Sequence, residues 1–189
     1  MTTVVVSGCH PEGYELYGRK FLETFHRRWP ADHQLIFYTE EPVKMPRGEC
    51  RSLWDIQGAM EFYARHKDNQ QHCGRAEVSG WREKDRVRRY CYRYDALKWF
   101  KQCIIPHDAA SRLPDGTILV WLDADIVTFA DVPENFIAGI LGSHDFVSLG
   151  RDRQTSELGF YALRLIEGNM TRAFIKNFSD VMLKDQVFD

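Results

Sequence analysis

The chain has 189 residues with a formal net charge of −2, and 44% of its residues are hydrophobic and 13% aromatic. This composition excludes a disordered chain, and the length suffices for one domain with a sizeable core. The near balance of charge argues against a generally basic nucleic-acid binder, although local basic patches would still allow contact with nucleic acid.

The apolar runs and the cysteines bear on where the protein works. The longest apolar run near the N-terminus, Val4 to Val6, is too short for a signal peptide or a membrane span. The five cysteines are widely spaced and form no CxxC pair, which is typical of reduced thiols. We therefore expect a cytoplasmic protein without a membrane span.

The N-terminal part alternates between strand and helix patterns. The opening TTVVVSG predicts a buried strand that stops at Ser7 and Gly8. Apolar residues at helical spacing predict a helix over 12–29, which Pro30 ends. HQLIFYTEE predicts a second strand, RSLWDI a short third strand, and 61–66 a short helix. Alternation in this order favours an α/β domain with a largely parallel sheet.

Residues 67 to 93 interrupt this pattern, because they are polar and only weakly periodic. We predict an inserted segment at about 67–90 that contains some helix. Basic residues outnumber acidic ones toward its end, namely Arg82, Lys84, Arg86, Arg88, Arg89 and Arg93. Two interpretations stay open: a solvated face, or a mobile basic flap that meets phosphates or an anionic acceptor.

The C-terminal part returns to clear periodicity. A stripe at i, i+3, i+4, i+7 and i+8 predicts a helix from Ala96 that Pro106 stops. ILVWL at 118–122 predicts a central buried strand. Later patterns predict a helix over 133–141, strands at 145–149 and within SELGFYALRL, and a last helix over 170–183. The whole chain, residues 1–189, is thus interpreted as a single α/β domain.

Asp123 and Asp125 follow the predicted central strand directly. Residues two apart in an extended chain point the same way, and ligands of parallel α/β sheets bind beyond the carboxyl ends of the strands. Because unpaired carboxylates are costly to bury, we expect a cation beside them. Two hard oxygen ligands suit Mn²⁺ or Mg²⁺, whose other positions are usually filled by water and substrate phosphates. An aspartate turn that caps the next element is the alternative.

The segment WLDADIVTFADVP resembles the metal-binding segment of nucleotide-sugar glycosyltransferases of the GT-A fold. The resemblance implies a three-layer α/β fold with a central, mostly parallel sheet. It also implies that Asp123 and Asp125 hold a cation that bridges the diphosphate of the donor. The implied function is metal-dependent transfer of a sugar from a nucleotide-diphosphate donor to an acceptor that the residues do not identify.

Further segments extend the resemblance. YRYDALKWFKQCI is similar to the family's helix whose basic residues approach the donor phosphates and whose acid contacts the sugar. SELGFYALR is similar to its acceptor-side segment, in which Glu157 would take the proton of the attacking hydroxyl group; a surface glutamate beside a strand is the alternative. Asp125 is the second catalytic candidate. The candidate substrate-binding residues, including two matched to the nucleotide base by position alone, are Ser7, Gly8, Arg93, Asp95, Lys98, Lys101 and Gly159.

The chain departs from the family pattern at its end. The family commonly adds a downstream histidine or other ligand, whereas no histidine follows His144 here and the sequence ends at Asp189. Either the chain is shortened or fewer protein groups hold the metal, so we expect an open and weak metal site. Two other functions stay open: a haloacid-dehalogenase-type phosphatase with Asp123 as nucleophile and Asp125 as general acid, and a nucleotide-sugar-binding module without turnover.

Overall fold

The structure is a computed structural model that describes residues 2–75, 83–91, 94–150, 157–168 and 170–187, of which 85, 87, 88 and 157 are described by their backbone. The strands are β1 (Thr3–Cys9), β2 (Gln34–Thr39), β3 (Glu49–Ser52), β4 (Ile118–Leu122), β5 (Phe146–Leu149) and β6 (Glu157–Arg164). The helices are α1 (Pro11–Gly13), α2 (Arg19–Arg28), α3 (Ala59–His66), α4 (Glu83–Arg88), α5 (Ala96–Arg112), α6 (Phe136–Leu141) and α7 (Met170–Leu183). A π-helical turn, Tyr14–Gly18, joins α1 to α2, and a 3-10 turn, Leu53–Asp55, follows β3.

The described strands form one sheet in the order β3-β2-β1-β4-β6-β5. β1 pairs in parallel with β2 and β4, and β2 pairs in parallel with β3. β6 is antiparallel to both β4 and β5, so among the described strands it alone runs against the others. β4 lies inside the sheet with every residue buried, as its uninterrupted apolar sequence predicted. The predicted mixed α/β class with a mostly parallel central sheet is confirmed.

Helices cover both faces of the sheet, because alternate strand residues point to opposite faces. Val4 and Val6 of β1 belong to an apolar cluster with α3, α5 and α7, in which the rings of Phe62 and Phe100 stack at 5.0 Å. Val5 belongs to a second cluster with α2 and α6. The result is the three-layer arrangement that the resemblance implied.

The first strand ends later than its sequence predicted. β1 continues through Ser7 and Gly8, which pair with Phe37 and Tyr38 of β2, so the prediction of a stop at these residues is wrong. A Cβ at position 8 would lie 2.7 Å from Ile105 Cδ1 and 2.7 Å from the Tyr38 carbonyl oxygen. Glycine therefore serves close packing of β1 against β2 and α5, not chain reversal.

The prediction that Pro106 stops its helix is also wrong, because α5 continues to Arg112. A proline inside a helix costs about 3 kcal/mol, because one backbone hydrogen bond is lost and the ring clashes with the carbonyl group four residues earlier. The turns after Pro106 offset this cost by burying Ala109 and Ala110 and by the hydrogen bond from Tyr38 Oη to Asp108 Oδ2 (2.7 Å). Tertiary packing here outweighs the local preference of one residue.

The predicted third strand is shifted toward the N-terminus. β3 begins at Glu49 and ends at Ser52, before most of the apolar residues that suggested a strand. Ser52 Oγ accepts a hydrogen bond from the Trp54 backbone N–H (3.2 Å), which caps the following 3-10 turn and buries Leu53.

The polar segment after α3 contains α4, as its partial helical character predicted. Arg82 and Arg93 of its basic set lie outside the described residues, and Lys84, Arg86 and Arg89 are exposed. The flap interpretation stays a prediction. In the described parts of the chain, none of the helices has both the length and the apolar character needed to cross a membrane.

Candidate functional site

The candidate site lies where the carboxyl ends of β1 and β4 meet the start of β6. The sheet order switches direction between β1 and β4, which is where open α/β sheets bind their ligands. Asp123 follows β4 directly, and its backbone N–H donates to the Gly159 carbonyl of β6 (2.9 Å). The Ile126 N–H donates to the Asp123 carbonyl (3.1 Å), so the chain turns here instead of staying extended. This turn leaves Asp123 half-buried and Asp125 exposed.

The electrostatics of Asp123 favour a nearby cation. Burial is the main cause that raises the pKa of Asp123, and the charge of Asp125 raises it further. A hydrogen bond from Trp121 Nε1 to Asp123 Oδ1 (2.8 Å) and the charge of Lys98 act in the opposite direction without cancelling the rise. Positive charge placed between the two carboxylates would stabilise their ionised forms.

The residues present fit a divalent ion. The bond from Trp121 orients the Asp123 carboxylate and leaves Oδ2 as a candidate ligand beside exposed Asp125. Two carboxylates are a usual protein contribution to a Mg²⁺ or Mn²⁺ site that also takes water and phosphate oxygens. In the described part of the chain, no group of three or more His, Cys, Asp and Glu side chains is arranged to hold a metal.

The start of α5 borders the same space. Asp95 caps this helix, because its Oδ1 accepts the Lys98 backbone N–H (3.2 Å). Lys98 is exposed, and its charge lowers the pKa of Asp123. Contact between these residues and a donor stays a prediction.

Lys101 is already paired. Its Nζ lies 2.6 Å from Glu40 Oε1, and the two side chains are only 13% and 19% exposed. Glu40 follows β2 and was not among the sequence candidates, although an acid directly after a strand at this edge of the sheet was a usable signal. A role of Lys101 at the diphosphate stays a prediction, and any such contact competes with Glu40.

His10, directly after β1, is exposed to solvent, whereas Gly8 is half-buried. Ser7 is fully buried, and its Oγ has no hydrogen-bond partner among the described residues. Burial and the charge of Lys101 lower the pKa of His10, which favours its neutral form near pH 7. The predicted roles of Ser7 and Gly8 beside a nucleotide base stay predictions.

A cavity of about 670 Å³ opens beyond the ends of β1 and β2. It combines an aromatic ring, charged groups and a strand-end histidine, a mixture that suits a polar ligand with a flat ring. Its lining includes His10, Glu12, Tyr14, Arg19, Glu41 and Lys44.

Tyr17 is a site residue that sequence reasoning missed. It lies on the π-helical turn, and its hydroxyl group lies against the backbone of Gly13, where any side chain would collide with it. Burial raises the pKa of Tyr17 to about 12, and the charges of Cys9, Asp125 and Asp123 add to the rise. Tyr17 is therefore a neutral hydrogen-bond donor close to the aspartates. The apolar spacing placed it in a helix core, and a π-helical turn, a common feature of functional sites, leaves no mark in such a pattern.

The remaining candidates lie on or near β6. Gly159 is beside Asp123 through the backbone bond described above. The Glu157 backbone begins β6 two residues earlier, roughly 7 Å along the strand from Gly159. Gln102 Nε2 donates to the Leu158 carbonyl (2.7 Å), which fixes this part of β6 to α5. Arg93 lies outside the described residues. The catalytic role of Glu157 stays a prediction.

Comparison with known proteins defines the fold class. No protein-family model and no curated protein matches the sequence. Solved structures do match, among them the apo crystal structure of mouse xyloside xylosyltransferase 1, with a TM-score of 0.50 and 10% sequence identity over 95% of this chain and 76% of that chain. At this identity the likeness concerns the fold alone. Together with the three layers and the sheet order, it gives this chain a GT-A-like fold, as predicted.

Proposed function

We propose that this protein is a glycosyltransferase that moves a sugar from a nucleotide-diphosphate donor to an acceptor, with Mn²⁺ or Mg²⁺ held by Asp123 and Asp125. The observation that supports the proposal most is the half-buried Asp123 beside exposed Asp125 at the switch point of a GT-A-like sheet. The structural neighbour named a xyloside xylosyltransferase supports glycosyl transfer in general.

The proposed chemistry needs stabilisation of a leaving diphosphate. The bond from the anomeric carbon to the diphosphate oxygen breaks, and the acceptor oxygen forms the new bond to that carbon. A bound cation would neutralise charge that develops on the phosphate oxygens. Asp123, held by Trp121, and Asp125 would bind that cation, and Lys98 would add positive charge from α5.

Other residues have proposed roles on either side of this centre. Tyr17 would donate a hydrogen bond to an anionic oxygen of the donor, since its hydroxyl group is protonated at neutral pH. The nucleoside would occupy the cavity beyond β1 and β2, next to His10. Glu157, at the start of β6, would take the proton that the acceptor hydroxyl group loses.

A panel of nucleotide sugars tests the proposal by thermal denaturation, with and without Mn²⁺. At least one donor should raise the melting temperature of the wild-type protein in the presence of Mn²⁺, because ligand binding stabilises the native state. The double substitution Asp123→Asn and Asp125→Asn should abolish that rise. Glu134→Gln, which removes a negative charge at an exposed position away from the turn, is the matched control and should respond as wild type does.

Two results would overturn the proposal. One is the absence of any donor-induced rise, and the other is an equal rise in wild type and the double variant. Release of phosphate from a simple phosphoester without any nucleotide sugar would favour the phosphatase alternative. Donor binding without transfer or donor hydrolysis would favour a binding module.

A further inference from the structure

Both carboxylate oxygens of Asp95 are occupied by protein donors. Oδ1 accepts the backbone N–H of Lys98 at 3.2 Å, which is the helix-capping bond. Oδ2 accepts the hydroxyl group of Tyr90 at 2.6 Å, a short bond of the strength expected for an ionised acceptor. The cap alone would leave Oδ2 free to exchange among water molecules. Tyr90 thus removes the remaining rotational freedom of the carboxylate.

Tyr90 is itself fixed by a backbone connection that ties 72–74 to residue 91 and to residues 95–96. The Cys91 N–H donates to the Gly74 carbonyl (2.7 Å), and the Ala96 N–H donates to the His72 carbonyl (2.7 Å). Cys73 and Asp95 form an antiparallel bridge between these two bonds. Together they hold Asp95 from its backbone while Tyr90 holds it from its side chain.

Gly74 allows the Tyr90 ring to approach this connection. Gly74 has a φ of 72°, and a Cβ there would lie 2.7 Å from the Cys91 carbonyl oxygen and 2.9 Å from Tyr90 Cε2. No other residue type fits this position without moving the ring. The place of Tyr90 is therefore determined by the chain around it and not by Asp95 alone.

Asp95 caps the end of α5 that lies at the carboxyl edge of the sheet, because Lys101 of this helix pairs with Glu40 directly after β2 and Gln102 donates to Leu158 at the start of β6. The charge of Asp95 reaches His10 at the end of β1, and Lys98, one turn later on α5, acts on Asp123 at the end of β4. The start of α5 thus lies within electrostatic range of His10, which lines the cavity, and of Asp123. The Tyr90 hydroxyl group is protonated at neutral pH, and burial raises its pKa further, so Tyr90 donates this hydrogen bond.

We infer that Tyr90 is a positioning residue that directs the free lone pairs of Asp95 toward hydroxyl groups of the donor sugar, an inference that rests on the proposed function. A carboxylate held by two donors still has acceptor capacity, but only in fixed directions. Sugars differ mainly in the directions of their hydroxyl groups. Tyr90 thereby contributes to selection among donors that share a nucleotide and differ in the sugar.

The substitution Tyr90→Phe tests this inference in the full chain, because it removes the hydroxyl group and keeps the ring. Affinity for the preferred nucleotide sugar should fall about tenfold, the equivalent of one hydrogen bond to a charged group. Affinity for the same nucleoside diphosphate without the sugar should not change. Tyr94→Phe, at a 37% exposed residue in the same segment, is the control and should leave both affinities unchanged.

A double-mutant cycle with Asp95→Asn gives an independent readout, and Asn keeps an oxygen for the helix cap. Tyr90→Phe should add little to the loss caused by Asp95→Asn, because both changes disable the same contact. Full additivity, or equal losses for the nucleotide with and without its sugar, would overturn the positioning role. Unchanged sugar-donor affinity in Tyr90→Phe would do so too. Wild-type protein that binds neither ligand would overturn the proposed function and this inference together.

Discussion

The proposed role of Asp123 needs its ionised form, and this form is unfavourable for the stability of the fold. Its folded-state pKa is raised, chiefly by burial, so the folded protein holds the proton more tightly than the unfolded chain does. The contribution of this group to stability is then fully present at acid pH and is lost as the pH rises through the folded pKa. At neutral pH the ionised side chain weakens the fold, a pattern common at functional sites.

Asp123→Asn should therefore stabilise the protein at pH 7 in metal-free buffer, by roughly 0.5 to 2 kcal/mol. The amide oxygen can still accept the Trp121 bond, so the change removes mainly the charge. Urea denaturation of both proteins at pH 7 and pH 4 measures the effect, and the difference should shrink at pH 4. A variant less stable than wild type at pH 7, or a gain independent of pH, contradicts this account. Glu134→Gln controls for the loss of a charge.

Helix α5 is fixed to the sheet by charge as well as by apolar packing. The Lys101–Glu40 pair joins it to the end of β2, with both side chains largely removed from water. Breaking such a pair leaves the other charge partly buried and unpaired, which costs more than the pair contributes. The free energy of unfolding depends on both partners together.

Glu40→Gln should lower the free energy of unfolding by about 1 to 3 kcal/mol, because Lys101 keeps its charge without a carboxylate. The double substitution Glu40→Gln and Lys101→Met should lose less than the sum of the two single losses. Denaturation midpoints of the four proteins give the coupling. Strict additivity would mean that the pair does not act as a unit. The exposed i,i+4 pair Glu15–Arg19 is the control cycle, and we expect a much smaller coupling there because water screens both charges.

The end of α7 is attached to α3 by a second polar contact. Buried His66 Nε2 lies 2.7 Å from Asp185 Oδ1, and Arg65 Nη2 donates to the Leu183 carbonyl (2.7 Å). Burial acts to raise the pKa of Asp185, but the hydrogen bonds from His66 and Arg65 hold it below its usual range. A depressed carboxyl pKa gives stability that is present above the unfolded value and is lost as the pH falls through the folded value.

Asp185→Asn should lower the free energy of unfolding at pH 7 by about 0.5 to 1 kcal/mol, because solvent screens this partly exposed carboxylate, with a smaller loss in acid. Asp185 has a φ of 61°, a conformation that asparagine also adopts readily, so the change tests charge and not backbone strain. The pH dependence should be opposite in sign to that of Asp123→Asn. Equal effects of the two substitutions across pH would refute both assignments. Asp131→Asn, at an exposed ion pair with Arg28, is the control.

At the scale of the whole molecule, local patterns predicted the elements better than their ends. The apolar run at 118–122 and the pattern at 170–183 placed β4 and α7 at the residues observed. The end of β1 and the passage of α5 through Pro106 depend on contacts from distant parts of the chain, such as Ile105 against Gly8. A rule that is applied to one residue at a time cannot predict such contacts, because they form only when the helices pack on the sheet.

The site shows the same division. Asp123 and Asp125 were proposed from sequence because they follow a fully apolar strand, a signal carried by neighbouring residues. Glu40 is 61 residues from Lys101, and their contact arises only when β2 and α5 meet. Tyr17 and Tyr90 have aromatic side chains that pattern analysis assigns to packing. The roles proposed for their hydroxyl groups depend on the residues that the fold places beside them.

The hydrogen bond from the Asp123 backbone N–H to the Gly159 carbonyl gives the two aspartates different mobility. The backbone of Asp123 is hydrogen-bonded into the sheet, so the α-carbon of Asp123 is not free to shift. The Asp125 carboxylate projects from an exposed turn and can follow an ion. The proposed metal site would then combine one immobile oxygen ligand with one mobile ligand and would tolerate ions of unequal radius, so the choice between Mn²⁺ and Mg²⁺ would fall to cellular supply more than to this protein.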